Sequence, residues 1–523
     1  MREVERALAN MTTTVAEQLT DALASFHSRD LNEAAGVVER DDIVDNLYGA
    51  LEQRIFEAIG VAGANISESR RWRAALRVLS NLERIGDAAA HIAKHAIMLS
   101  NEPAPTVDYS LDDLAACATD SFRQGVDAFI RQDLELAKSA CELEREVDEI
   151  YVKKLNQIIQ MLDKGEGHAR YLMHVMAAMK YLEKIGDFAL NIGEATFFAV
   201  TGTRLKYPQF KQLETLLGEA DHSGGAVVYR HFWDGISGAI VLEIDSADGH
   251  RYLFKEGAGR KIEDEISRGI EWENLAPLHA PRLIGKAQDK ERRAVLREFA
   301  DGALLHDILF ANDNDEAKFV ATKAVTEALI DIWSSTLIAR APRLDYSQQV
   351  RTRLREVLRR HPDLEALAKE ELGKYGGIFG ALDLLQRQEE ALAPPFSVWV
   401  HGDLNTNNAV YDGATRQVVF IDVHRSRYGD YAGDVGVLLT SSFRQFPKKK
   451  IARTLAVVND VMIETVTEFA HRNGDRGFDE RLKLARARAL ITSARLTDDA
   501  ERAEVLFVEG LRYLKKSMRK IRV

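Results

Sequence analysis

The stretch "HGDLNTNN" (residues 401–408) lies between "SVWV" (397–400) and "AVYD" (409–412). Both flanks are apolar and β-prone, so they read as short strands around a polar loop. Loops held by rigid elements are where chains place chemistry. A surface turn explains any one of these polar residues. Their order, followed by "QVVFIDV" (417–423) with Asp422 at the end of a strand-like run, matches the needs of phosphoryl transfer.

Transfer from ATP to a hydroxyl requires a carboxylate to orient the hydroxyl and take its proton, oxygen ligands for magnesium, and a cation on the nucleotide phosphates. Asp403 is the candidate base. Asn408, five residues on, offers a neutral carbonyl oxygen, and Asp422 a second metal-directed oxygen. Lys255 in "YLFKEG" (252–257) sits on a predicted strand far upstream and is the candidate phosphate-binding cation.

The order His401, Gly402, Asp403, Asn408 and Asp422, with "GDYAGDVGVLL" (429–439) and "REFADGALLHDIL" (297–309), resembles the aminoglycoside phosphotransferase-like kinases. That group includes choline-type and other small-molecule kinases. The resemblance covers about 225–515. It implies an α+β, two-lobed, protein-kinase-like fold using ATP and Mg2+, with Asp403 as catalytic base and Asn408 and Asp422 on magnesium. It also implies that His401 and Asp434 support the loop. The nucleotide loop would be "HFWDGISGA" (231–239), with Gly235, Ser237 and Gly238 as contacts; it departs from GxGxxG. Glu265 and Glu271, on the following helix, are both open as partners of Lys255.

The first 203 residues have a different texture. They are rich in Ala, Leu, Glu and Arg, with apolar residues recurring at three and four, so they read as helix almost throughout. "NLERIGDAAAHIAKHA" (81–96) matches "YLEKIGDFALNIGEAT" (181–196) at an offset of 100 residues, and "ERDDIVDNLY" (39–48) matches "ELEREVDEIY" (142–151) at 103. Two copies of a three-helix unit, about 1–100 and 108–203, follow from this. Gly86 and Gly186 in mid-helix predict close helix packing. Asp41 and Asp45 share one helix face, as do Glu144 and Asp148. With Asp87 and Asp187 they form repeated acidic patches, read either as solvated faces with ion pairs or as sites for hard cations.

These carboxylates and the "ERIGD"/"EKIGD" helices resemble the PhoU family of phosphate-uptake regulators. The resemblance implies an all-α bundle of two three-helix repeats, with Fe, Mn, Zn or Mg on Asp41, Asp45 and Asp87 and on Glu144, Asp148 and Asp187. It implies regulation linked to phosphate, through a phosphate transporter or sensor-kinase partner. Asn191 fits the family pattern, and His91 departs from it.

The chain has 523 residues, 46% of them hydrophobic, and a net charge of −11. The charge argues against general binding to nucleic acid or anionic membranes, which needs a basic footprint. No run is long and apolar enough for a membrane span, and the amino terminus lacks the apolar segment of a secretory signal. The two cysteines, Cys117 and Cys141, have no metal-ligand spacing and read as buried hydrophobes. The expectation is a cytoplasmic, multidomain protein: a helical bundle (1–203), a linker (204–222) and a kinase-like domain (223–523). Its expected activity is ATP/Mg-dependent phosphorylation of a small-molecule hydroxyl, under a metal-binding module tied to phosphate status. A non-catalytic nucleotide-binding regulator of phosphate transport or signalling is the alternative, with protein phosphorylation as a weaker option. Acceptor identity, metal identity and homo-oligomerisation stay open.

Overall fold

The computed structural model describes residues 1–61, 66–100, 102, 109–219, 227–231, 239–246, 249–289, 292–311, 314–445 and 449–518. The chain divides into two compact units, Met1–Glu256 and Gly257–Val523.

The first unit opens with six long helices: α1 (Arg2–Ser28), α2 (Leu31–Val61), α3 (Ile66–Leu99), α4 (Asp112–Arg131), α5 (Leu134–Asp163) and α6 (Ala169–Thr201). They form the two expected three-helix repeats. In α1 the buried residues Val4, Leu8, Met11, Val15, Leu19, Ala22 and Phe26 recur at three and four, and so make one apolar stripe. Burial of each larger side chain contributes about 1.5–3 kcal/mol. Asp133 starts α5 by accepting the Leu136 N–H at 3.0 Å. The mid-helix glycines have the expected cause. A Cβ on Gly86 would lie 3.1 Å from Val44 Cγ1, and one on Gly186 3.0 Å from Val147 Cγ1.

The stretch expected as a linker contains a packed helix, α7 (Tyr207–Glu219). Phe210 stacks on Phe197 of α6 at 4.2 Å, and Leu213 and Leu216 are fully buried. Lys206 Nζ reaches buried Glu194 at 2.7 Å. The apolar spacing of "YPQFKQLETLL" outweighs the proline, which is tolerated in a first turn. Three strands follow, β1 (Val227–His231), β2 (Ile240–Ser246) and β3 (Arg251–Ala258). They pair antiparallel, with Val241 opposite Lys255. Gly249, shortly before β3, has φ 88°, a conformation that favours glycine.

The second unit begins with α8 (Gly259–Leu275) and the antiparallel hairpin β4 (Leu283–Asp289) and β5 (Arg292–Glu298). After β6 (Ala303–Leu304) come α9 (Leu305–Phe310), α10 (Asp315–Thr336), α11 (Tyr346–Arg360), α12 (Leu364–Leu372) and α13 (Gly377–Leu392). The polar loop follows β7 (Val398–Val400) and precedes β8 (Ala409–Tyr411) and β9 (Val418–Phe420), and then β10 (Arg427–Gly429). The unit closes with α14 (Ala432–Phe443), α15 (Lys449–Arg472), α16 (Phe478–Ser493) and α17 (Ala500–Met518). Strand β7 pairs with β10, and β8 lies between β6 and β9, all antiparallel. No described helix is long and apolar enough to cross a membrane.

Candidate active site and acidic patches

Register places the site. Ala409 of β8 faces Phe420 of β9, and the Ile421 N–H donates to the Asn408 carbonyl at 3.0 Å. The strand pair therefore carries Asn408 and Asp422 out of the sheet side by side. Asn408 is buried, and its Nδ2 donates to the Asp403 carbonyl at 2.9 Å. This bond turns its Oδ1 away from the loop backbone and leaves it available to a cation. Asn407, next to it, is exposed.

Asp422 has φ 59°, a left-handed conformation that Asp tolerates better than most residues and that often marks function. Its Oδ1 lies 3.0 Å from His424 Nδ1. Gly402 has φ 81°, and a Cβ there would fall 2.4 Å from the Arg425 carbonyl oxygen, so only glycine lets the two loops approach.

His401 braces the loop. It is buried, and its Nε2 lies 2.9 Å from the Ile421 carbonyl. A carbonyl only accepts, so Nε2 carries the proton. Nδ1 then accepts the Asp403 N–H at 3.3 Å. Asp434, at the start of α14, accepts the His401 N–H at 2.6 Å and the Gly402 N–H at 2.9 Å. Burial pushes its carboxyl pKa up, while His401 and the two N–H groups hold it down. Three further supports were not expected from the sequence. Trp272 Nε1 of α8 donates to Ser426 Oγ at 2.6 Å, Ser426 Oγ donates to the His401 carbonyl at 3.2 Å, and Ser441 Oγ accepts the Thr406 N–H at 3.1 Å. Each partner is far from the loop in sequence.

Asp403 is half-buried and faces Arg425, whose Nη1 lies 2.7 Å from its Oδ2. Glu265 is buried on α8, whereas Glu271 makes a local pair with Arg268 at 2.7 Å. Lys255 is on β3. Gly235, Ser237 and Gly238 lie outside the described residues.

In the helical bundle, the repeated carboxylates do sit near one another. Burial, then Asp87 and Asp45, raises the Asp41 pKa, while Gln18 Nε2 donates to its Oδ1 at 3.1 Å. Burial, followed by Asp148, Asp187 and Glu183, pushes Glu144 up to about 7. Hard oxygen donors crowded in this way suit a cation. Yet among the described residues no three His, Cys, Asp or Glu side chains form a ready ligand set. Neighbours hold part of the donor set: Lys184 Nζ is 2.5 Å from Asp187, and Lys180 Nζ is 2.7 Å from Glu183. The expected clusters are thus acidic patches with matching chemistry, not preformed metal cages.

The comparisons with known proteins divide at the same place. The PhoU domain family matches residues 8–96 and 111–196, and the phosphotransferase enzyme family (APH) matches residues 261–459. The N-terminal part carries PhoU domains, and the C-terminal part an APH phosphotransferase domain. Among curated relatives, the phosphate-specific transport system accessory protein PhoU homolog of Clostridium acetobutylicum is 24% identical over 206 residues, which is 39% of this chain and 94% of that protein. The homolog of Caulobacter vibrioides is 29% identical over 189 residues, 36% of this chain and 82% of that one. Among solved structures, PhoU from Pseudomonas aeruginosa is 27% identical, with a TM-score of 0.37, covering 39% of this chain and 97% of that chain. An aminoglycoside phosphotransferase from Streptomyces rimosus is 20% identical, with a TM-score of 0.33, covering 58% of this chain and 98% of that chain. The PhoU matches coincide with the two helical repeats, and the APH match contains the whole loop from His401 to Asp434.

Proposed function

We propose that the protein is an ATP- and magnesium-dependent kinase of a small-molecule hydroxyl, and that its PhoU domains adjust this activity to phosphate status. The observation that supports the reading best is the coupling of base and metal residue. Asn408 donates to the backbone of Asp403 at 2.9 Å, so one rigid loop sets the spacing between them. Asp403 orients the acceptor hydroxyl and takes its proton. Asn408 Oδ1 and the Asp422 carboxylate would hold magnesium, which neutralises charge on the phosphates; one or two protein oxygens suffice for that ion. Lys255 is assigned to nucleotide phosphate, Gly235, Ser237 and Gly238 to the nucleotide loop, and Glu265, the more buried of the two candidates, to supporting the lysine.

The PhoU relatives are named as accessory proteins of phosphate-specific transport, and a transporter or sensor kinase is the proposed partner class for the bundle. Its carboxylates are proposed to take a divalent cation when lysines 180 and 184 give way. The direct experiment measures ADP formation by the full chain with Mg2+ across a panel of hydroxyl acceptors, beside Asp403→Asn. Acceptor-dependent ADP release that vanishes in the variant supports the reading. ATP binding without turnover on any acceptor would establish the non-catalytic alternative instead.

A further inference from the structure

Beside Asp403, within the second unit, lies a cavity of about 1160 Å3. That volume suffices for a small metabolite and more. Its walls come from the catalytic loop, from the start of α11, from α13, from β10 and from α16. Which of its charged groups already have hydrogen-bonded partners is the informative property. Of the acidic residues in the wall, Glu390 is exposed to water and Asp403 pairs with Arg425; the other four are hydrogen-bonded. Asp430 Oδ2 accepts from Tyr346 Oη at 2.8 Å and from Arg481 Nε at 2.9 Å. Glu389 Oε1 accepts the Ser347 N–H at 2.7 Å and its hydroxyl at 2.8 Å. Asp434 holds the loop N–H groups, and Asp345 accepts from Gln349 Nε2 at 2.6 Å.

The arginines are not committed in this way. Arg353 of α11, Arg488 of α16 and Arg427 of β10 line the cavity, and no ion pair involves them among the described residues. Arg488 keeps its Nε buried with no hydrogen-bond partner. Burial lowers the Arg353 pKa, and Arg495, Arg425 and Arg488 lower it further, with Asp403 as the opposing charge. Guanidinium groups partly out of water, with carboxylates near but none in direct ion-pair contact, are costly. They are also suited to bidentate capture of carboxylate or phosphate. A cationic acceptor would meet repulsion in the same place.

We infer that the acceptor is an anion: a hydroxyl compound bearing a phosphate or carboxylate group, which Arg353 and Arg488 hold while its hydroxyl faces Asp403. This inference rests on the kinase reading for its chemistry, but its anion site stands on the arginines alone. In the reaction, the acceptor oxygen forms the new bond to the γ-phosphorus. The bond from that phosphorus to the β,γ-bridging oxygen breaks, and its electron pair leaves with ADP. The hydroxyl proton passes to Asp403.

The test measures both binding and transfer with the full chain, using glycerol 3-phosphate, glycerate, glycerol and choline as probes. Calorimetry should show binding of one or both anions, and not of glycerol or choline; the preferred anion distinguishes phosphate from carboxylate. Arg353→Met should weaken that binding about tenfold or more, with partial recovery in Arg353→Lys, which keeps charge but not the fork. Asp403→Asn should keep anion binding and lose transfer. Binding or phosphorylation of glycerol or choline at least as good as that of the anions overturns the inference while leaving the kinase reading intact. Anion binding that ignores Arg353→Met and Arg488→Met also overturns it, as does a lack of binding by either anion. Arginine-dependent anion binding without transfer to any acceptor supports the anion site and overturns the kinase reading.

Discussion

Arg425 Nη1 lies 2.7 Å from Oδ2 of Asp403, so the candidate base is held by a guanidinium that belongs to the loop after Asp422, the candidate metal ligand. The pair joins the two halves of the site: Asp403 precedes β8, and Arg425 follows Asp422 by three residues. Asp403→Asn should lower turnover by about 10²–10⁴-fold, the range for loss of a positioned base, with ATP affinity little changed. Arg425→Met should lower kcat less than Asp403→Asn does. Steady-state kinetics and nucleotide titration measure both effects, and unaltered turnover in Asp403→Asn would remove the base assignment.

Asp422 is expected to trade stability for function. Its φ of 59° costs a non-glycine residue about 1 kcal/mol or more. Asp422→Gly relieves that cost but loses the bond to His424 and adds freedom to the unfolded chain. Its melting temperature should therefore stay within a few degrees of wild type, while magnesium-dependent activity disappears. Asn408→Ala should raise the magnesium concentration needed for half-maximal rate. A calorimetric scan and a magnesium titration of the rate read the two effects.

Asp434 is expected to matter first for the fold. Asp434→Ala leaves the buried His401 N–H and the Gly402 N–H without their acceptors. Each such loss costs about 1–3 kcal/mol. Urea unfolding of this variant should show its loss of stability in the transition of the second unit. Helical signal from the bundle should persist past that transition.

Acid should weaken the bundle through a pair of imidazoles. His95 Nδ1 lies 2.9 Å from His174 Nδ1, with His91, Tyr181 and Glu102 around them. Burial lowers both pKa values, and for His95 the neighbouring histidines add to the effect. The fold thus favours the neutral rings. Their stabilising contribution is full above about pH 6.5, the ordinary value, and is lost as pH falls from there toward the lowered values. The raised carboxyl groups of Asp41, Glu83 and Glu144 act with the opposite sign. The comparison is therefore between wild type and His95→Gln/His174→Gln: the variant should lose less melting temperature between pH 7 and 5.5.

Cations should stabilise the bundle through the acidic patches. Without added cation, Glu144→Gln/Asp148→Asn removes like-charge repulsion at i,i+4, about 0.2–0.5 kcal/mol, and should not lower the melting temperature. With Mn2+ or Mg2+, wild type should gain stability by ligand linkage, and the double variant should gain less. Equal gains in both proteins would place the cation elsewhere.

Local patterns were legible where residues close in sequence do the work. The spacing from Asp403 to Asn408 put both in one loop, and the offset repeats foretold two three-helix units with glycines in close helix packing, where Val44 and Val147 press in. Distant partners were not legible. Arg353 and Arg488 reach the cavity from helices on either side of the loop in sequence, and neither sits in a motif. Trp272 reads as one more core aromatic until its indole meets Ser426. Helix α7 lies within the stretch expected as a linker, because composition weighs its polar residues and proline more readily than the spacing of Phe210, Leu213 and Leu216. The metal ligands expected in the second repeat met Lys180 and Lys184, whose side-chain direction no spacing rule specifies.

The bond from Gln209 Nε2 to Glu256 Oε2, 2.9 Å long, bears on how such a protein can be cut and recombined. Glu256 is wholly buried and adjoins Lys255. Gln209 rides on α7, which Phe210 clasps to α6. The lysine proposed for nucleotide is thus moored, one residue away, to the scaffold of the phosphate-linked bundle. A catalytic fragment starting at residue 223 would keep the carboxylate and discard its amide. Exchange of the kinase half between fusion proteins would have to carry α7 along as part of the cargo.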